Sequence, residues 1–106
     1  MRVIISLIIF SLAVLEFSVS EAAGDATQGE QKAQICAACH GAGGMSANPL
    51  WPNLAGQKDQ YLLKQLKAFK SGERKDPLMS PQASTLTEKD MEDLAAYYSR
   101  ISASGQ

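Results

Sequence analysis

Apolar positions fall along this chain in one nearly continuous run and three periodic stripes. The run, Val3 to Leu15, follows Met1-Arg2 and gives way to the small and polar stretch Ser18 to Ala23. A positive start, an apolar run and a small-residue exit describe a secretory signal peptide over residues 1–22, with Ser20 and Ala22 fitting cleavage after Ala22. The run falls short of the about 20 residues of a membrane span, and Glu16 closes it. An uncleaved anchor is the competing reading.

The three stripes carry helical spacing, and no segment alternates as a strand would, so the fold class is all-α. The first helix starts at Asp25 or Thr27, where Thr27-x-x-Glu30 fits a capping box, and runs through Gly29, Ala33 and Ile35 to His40. Glycine inside a helix costs about 1 kcal/mol against alanine, so either Gly29 is simply tolerated or another backbone approaches that face, the favoured reading. A second helix spans Asp59 to Ser71, with Leu62, Leu66 and Phe69 on one stripe and Lys64, Lys67 and Lys70 largely opposite; Gly72 stops it. The third opens at Thr87, with Asp90 three residues on and acidic residues in its first turn. Met91, Leu94, Tyr97, Tyr98 and Ile101 mark its apolar face. Between helices, residues 41–53 hold three glycines and two prolines, and Glu73 to Leu86 holds Pro77 and Pro81. Both are expected to be irregular loops.

Removing 22 of the 106 residues leaves 84, enough for a single domain over 23–106 but not for a large apolar core. Domains of this size commonly need a staple such as disulfides or a metal. The formal charge of −1 belongs to the full chain; losing Arg2, Glu16 and Glu21 leaves nine basic and nine acidic side chains. Net charge is thus uninformative, whereas its distribution is not. Lys58, Lys64, Lys67, Lys70, Arg74 and Lys75 occupy the middle, and Glu88, Asp90, Glu92 and Asp93 open the last helix. This asymmetry can orient a partner on approach, or it can be two solvated helix faces. No nucleic-acid footprint and no small-molecule substrate site is legible.

The chemistry sits in Cys36-Ala37-Ala38-Cys39-His40, which contains both cysteines and the only histidine. C-x-x-C-H is the attachment signal of a c-type haem. Two thiols add across the two haem vinyl groups, and one helical turn places both sulfurs along the porphyrin edge. His40 then offers a ring nitrogen as proximal ligand. The alternatives are a redox dithiol, which wants a βαβ setting, a zinc site, for which the chain has three Cys and His ligands against the usual four, and a plain disulfide. Haem would also supply the staple that the small core lacks.

A single histidine forbids bis-histidine ligation within one chain. Of the methionines after the leader, Met45 lies five residues past His40, too close to cross to the far side of the ring, and Met91 belongs to an apolar stripe. Met79, between two prolines, is the expected distal ligand. His/Met ligation leaves no open position and raises the potential, which points to one-electron exchange and away from catalysis.

Together these segments resemble the class I c-type cytochromes, in particular the small soluble bacterial cytochromes of the c4-like group. The likeness rests on Ala23-Gly24-Asp25-Ala26, Cys36 to Gly41, Pro52-Asn53-Leu54-Ala55-Gly56-Gln57, Tyr61 to Leu66, Met79, Leu86-Thr87 and Asp93 to Tyr98. It implies a cytochrome c fold, three main helices and irregular loops around one covalent haem c. It further implies that the Pro52 carbonyl accepts a hydrogen bond from the His40 ring, that Gly29 packs on the last helix near Leu94 and Tyr97, and that Met79 binds iron. Cytochromes of the c4 group often carry two haem domains, whereas this chain has one C-x-x-C-H. The expected role is a periplasmic electron carrier, monomeric and not an enzyme, serving redox proteins that include membrane respiratory complexes. The alternative is a haem subunit permanently bound to a dehydrogenase or oxidase.

Overall fold

The computed structural model describes Ile9, residues 11–15 and residues 24–104. Most of the expected signal peptide, and its cleavage point after Ala22, lie outside the described residues. Among those described, no strand forms, and no helix is long and apolar enough to cross a membrane. The helices are α1 (Ala26–Lys32), α2 (Gln34–His40), α3 (Asp59–Ser71), α4 (Met79–Ser84) and α5 (Glu88–Arg100), with a 3-10 turn at Ala42–Gly44.

The expected first helix is two. Ala33, at φ −72° and ψ −9°, opens the turn between α1 and α2, although hydrogen bonds run on through it, from Ala33 N–H to Gly29 and from Ala37 N–H to Ala33. The expected Thr27/Glu30 capping box is also replaced. Asp25 stands in extended geometry and its Oδ1 accepts from the N–H groups of Thr27 at 2.9 Å and Gln28 at 3.2 Å. Aspartate is a stronger cap than threonine, and here it starts the helix earlier.

The other two stripes behave as read. In α3, Leu62 and Phe69 are buried, and Gly72 ends the helix in the left-handed region at φ 82°. In α5, Thr87 and Asp90 form the reciprocal capping box, and Met91, Leu94 and Tyr98 are buried. The core gathers Ala33, Leu62, Leu94, Ala95 and Tyr98, with Leu54, Leu66, Leu86 and Ile101 around them.

α1 crosses α5, which also packs on α3. At the α1/α5 crossing a Cβ on Gly29 would lie 2.0 Å from the Asp93 carbonyl oxygen and 2.8 Å from Tyr97 Cβ. The expected close approach is therefore real, and it is backbone that approaches.

Two further expectations need correction. The stretch from Glu73 to Leu86 is not wholly irregular, because α4 forms inside it. Pro77 precedes α4 and Pro81 lies in its first turn, where a missing N–H leaves no helical hydrogen bond unmade. Asp93, read as part of an acidic surface, has no exposure at all. Its carboxylate takes Lys32 Nζ at 2.6 Å, the Asp25 N–H at 2.8 Å and Lys89 Nζ, while Lys32 also reaches Asp90 at 2.9 Å.

Candidate haem site

α2 is a short helix whose last residue is the histidine. Gly41 closes it by donating its N–H to the Ala37 carbonyl. The chain then turns so sharply, at φ 83° and ψ 155°, that a Cβ on Gly41 would sit 1.9 Å from the Met45 carbonyl oxygen. Only glycine fits directly after His40.

That turn sends the 3-10 segment back under the helix, where the Gly44 carbonyl accepts the N–H groups of Leu54 at 2.8 Å and Ala55 at 3.1 Å. Gly56 N–H donates to the Tyr98 carbonyl at 2.9 Å. The loop from Pro52 to Gly56 is thereby fastened both to the turn and to α5. It delivers the Pro52 carbonyl oxygen to 2.8 Å from His40 Nδ1.

A carbonyl oxygen can only accept, so Nδ1 is the donor here, and a neutral imidazole in that tautomer has its lone pair on Nε2. His40 is buried, with 7% exposure. A buried imidazole with one nitrogen committed as donor and the other left as acceptor is the donor form that metals bind.

Cys36 and Cys39 are free thiols one helical turn apart, the first half-buried against the core and the second exposed. Burial pushes the Cys36 thiol above its ordinary pKa, with the Tyr98 hydroxyl's hydrogen bond acting in the other direction. Among the described residues no three His, Cys, Asp or Glu side chains converge as a metal-binding group. Two thiols and one oriented imidazole at C-x-x-C-H spacing do fit covalent haem.

Met79 arrives on a separate element as the first residue of α4 and is half-buried. Asp76 sets its backbone: Oδ1 accepts the N–H groups of Met79 and Leu78, each at 2.8 Å, and the Asp76 N–H donates to Ser80 Oγ at 3.0 Å. Those two backbone donors, that of Met79 first, hold the Asp76 carboxyl below the usual range. Asp76 was missed in the sequence, yet Asp76-Pro77 is a signature of the turn that leads into a helix, an aspartate whose carboxylate takes the N–H groups ahead of it followed by a proline. Met91 is 2% exposed in the core, as its stripe implied. Met45 is half-buried just after the 3-10 turn.

Comparison with known proteins agrees with this fold. Cytochrome c-554(548) of Halomonas halodenitrificans is 48% identical over 80 residues, which cover 73% of this chain and 96% of that protein. The crystal structure of reduced recombinant cytochrome c4 from Pseudomonas stutzeri superposes with a TM-score of 0.71 at 43% identity, covering 74% of this chain and 46% of that one. A thiosulfate dehydrogenase electron acceptor of Thiomonas intermedia is 46% identical over 77 residues, 71% of this chain and 35% of that protein. The chain thus spans less than half the length of the cytochrome c4 relatives it matches. The cytochrome c family profile matches residues 26–101, a span that takes in the haem motif, the Pro52 loop, Met79 and all of α5. By that match this chain belongs to the cytochrome c family, whose cofactor is covalent haem c.

Proposed function

We propose that the chain is a one-electron carrier whose haem c is linked through Cys36 and Cys39 and ligated by His40 and Met79. The observation that carries this reading is the 2.8 Å hydrogen bond from His40 Nδ1 to the Pro52 carbonyl. It aims Nε2 and strengthens it as a donor. Bound haem c supplies a reversible ferric/ferrous couple. The protein's part would be to hold that group from fixed elements, through His40 on α2 and Met79 at the Asp76-anchored start of α4. Since His40 is the only histidine, no second imidazole remains for acid–base work. We read the chain as a carrier rather than a catalyst, in the periplasm and with redox proteins as its partners, a reading that its cytochrome c4 relatives support.

A second reading, a haem subunit held by a dehydrogenase, draws on the thiosulfate dehydrogenase electron acceptor among the relatives. It predicts co-purification with a larger chain, which a free carrier does not show.

The test of the ligand set is the visible spectrum of the holoprotein. The ferric form is expected to show the far-red sulfur-to-iron charge-transfer band, and Met79→Ala to lose it. The variant's ferrous form should bind carbon monoxide. Its potential should drop by on the order of 0.1–0.2 V, part of the about 0.8 V range that axial ligation spans. A retained band with an unchanged potential would overturn Met79 as ligand.

A further inference from the structure

The residue beside Pro52 is tied back to the residue beside His40. Asn53 Oδ1 accepts the Ser46 N–H at 2.7 Å. The Ser46 hydroxyl lies 3.3 Å from the Cys39 carbonyl and 3.0 Å from the Asn48 carbonyl, and it accepts the Asn48 N–H at 3.1 Å. Cys39 precedes His40, and Asn53 shares a peptide unit with the Pro52 carbonyl. The contacts therefore close a ring, running from Cys39 through Ser46 and Asn53 to the Pro52 carbonyl and back to the imidazole.

We propose that Asn53 and Ser46 are positioning residues that hold the Pro52 carbonyl on His40 Nδ1 and so set the donor strength of the imidazole; this rests on His40 being the proximal ligand. Neither residue is in the core: Asn53 is exposed and Ser46 half-buried. Their polar groups serve the loop instead of packing. The Gly44 carbonyl pins Leu54 and Ala55 on one side of the 52–53 peptide, and the Asn53 side chain pins that peptide itself. With both in place the plane cannot rotate its carbonyl away from the ring. Releasing the Asn53 tie lets it rotate, which weakens the Nδ1–H hydrogen bond, makes the imidazole a poorer donor and favours the ferrous state.

The experiment uses the full holoprotein with Asn53→Ala and Asn53→Asp, the second keeping an acceptor oxygen at the same reach. In the ferrous state, exchange of the His40 Nδ1 proton is followed by NMR, and the midpoint potential is measured. Asn53→Ala is expected to exchange roughly fivefold faster, the factor of one net hydrogen bond, with the potential shifted upward. Asn53→Asp should restore the slow exchange. Should Asn53→Ala yield no holoprotein, Ser46→Ala, which frees the Cys39 carbonyl but keeps the Ser46 N–H, is measured for the same two changes. Parental exchange and potential in the alanine variant, with the far-red band intact, overturn the clamp and leave the ligand reading standing. A parent protein without histidine ligation overturns both.

Discussion

Asp93 shows how little a single residue's type says about its role. A carboxylate without solvent exposure suffers a desolvation penalty that favours its neutral form. Burial indeed pushes Asp93 upward, but Lys32, Lys89 and the Asp25 N–H outweigh it and bring the pKa from 3.8 down to about 2. The sign of the pH dependence follows. The unfolded chain takes up the proton first as pH falls, so the stabilisation is complete above pH 4 and is lost progressively as pH drops toward 2. Both lysines remain partly exposed, and screening leaves the contribution on the order of 1–2 kcal/mol. Asp90 is also lowered, chiefly by Lys32, so the measurement must be a difference. Denaturant unfolding of the holoprotein at pH 5 and pH 2.5 should show a loss in the parent that exceeds the loss in Asp93→Asn. Equal losses in the two proteins would remove Asp93 from the acid response.

At the scale of elements, the α1/α5 crossing depends on a missing side chain. Gly29→Ala would place a Cβ 2.0 Å from the Asp93 carbonyl oxygen, and helix backbone cannot yield as a flexible side chain can. The helices must separate, which also loosens the Lys32 to Asp93 contact. The expected destabilisation is about 2–4 kcal/mol, read from the denaturation midpoint at neutral pH, and a midpoint within about 0.5 kcal/mol of the parent would show that the crossing is looser than described. This approach was legible in the sequence, because a glycine inside a helical stripe asks for a neighbour. α3 and α5 were legible too, since stripe, cap and stop agree at Leu62 and Phe69, at Thr87 with Asp90, and at Gly72. α4 was hidden because proline signals a break unless its place in the first turn is known, and that place depends on the lead-in that Asp76 holds. The break at Ala33 has no glycine or proline to announce it. Asp93 could not be read, because the lysine that reaches it from α1 is 61 residues away along the chain. In the site, C-x-x-C-H spoke for itself and Pro52 came through family likeness. The Ser46 to Asn53 tie escaped, since loop hydrogen bonds leave no periodic trace.

For the molecule as a whole, charge asymmetry is partly consumed internally. Lys67 pairs with Glu88 at 2.7 Å, Lys70 bonds the Ser84 carbonyl, and Arg74 lies over the Phe69 ring. Less of the basic face is thus left to steer partners than the residue tally suggests. The apolar interior is correspondingly thin. Among the described residues, four of the nine buried hydrophobic ones are alanines, Ala33, Ala83, Ala95 and Ala96, leaving Leu62, Phe69, Met91, Leu94 and Tyr98 as the larger members. A chain of this length with five such residues does not reach cooperative stability through them alone. The remainder has to come from wrapping a large apolar cofactor, to which Cys36 belongs structurally because it already packs on the core cluster. Stability should therefore be conditional on covalent attachment. The double variant Cys36→Ser, Cys39→Ser is expected to show a shallow, non-cooperative thermal transition by circular dichroism and rapid proteolysis, whereas the haem-bearing parent melts in one steep step. A sigmoidal melt with parental helix content in the double variant would mean that the helices close without the cofactor, and that the Gly29 crossing and the Asp93 cluster suffice to hold them.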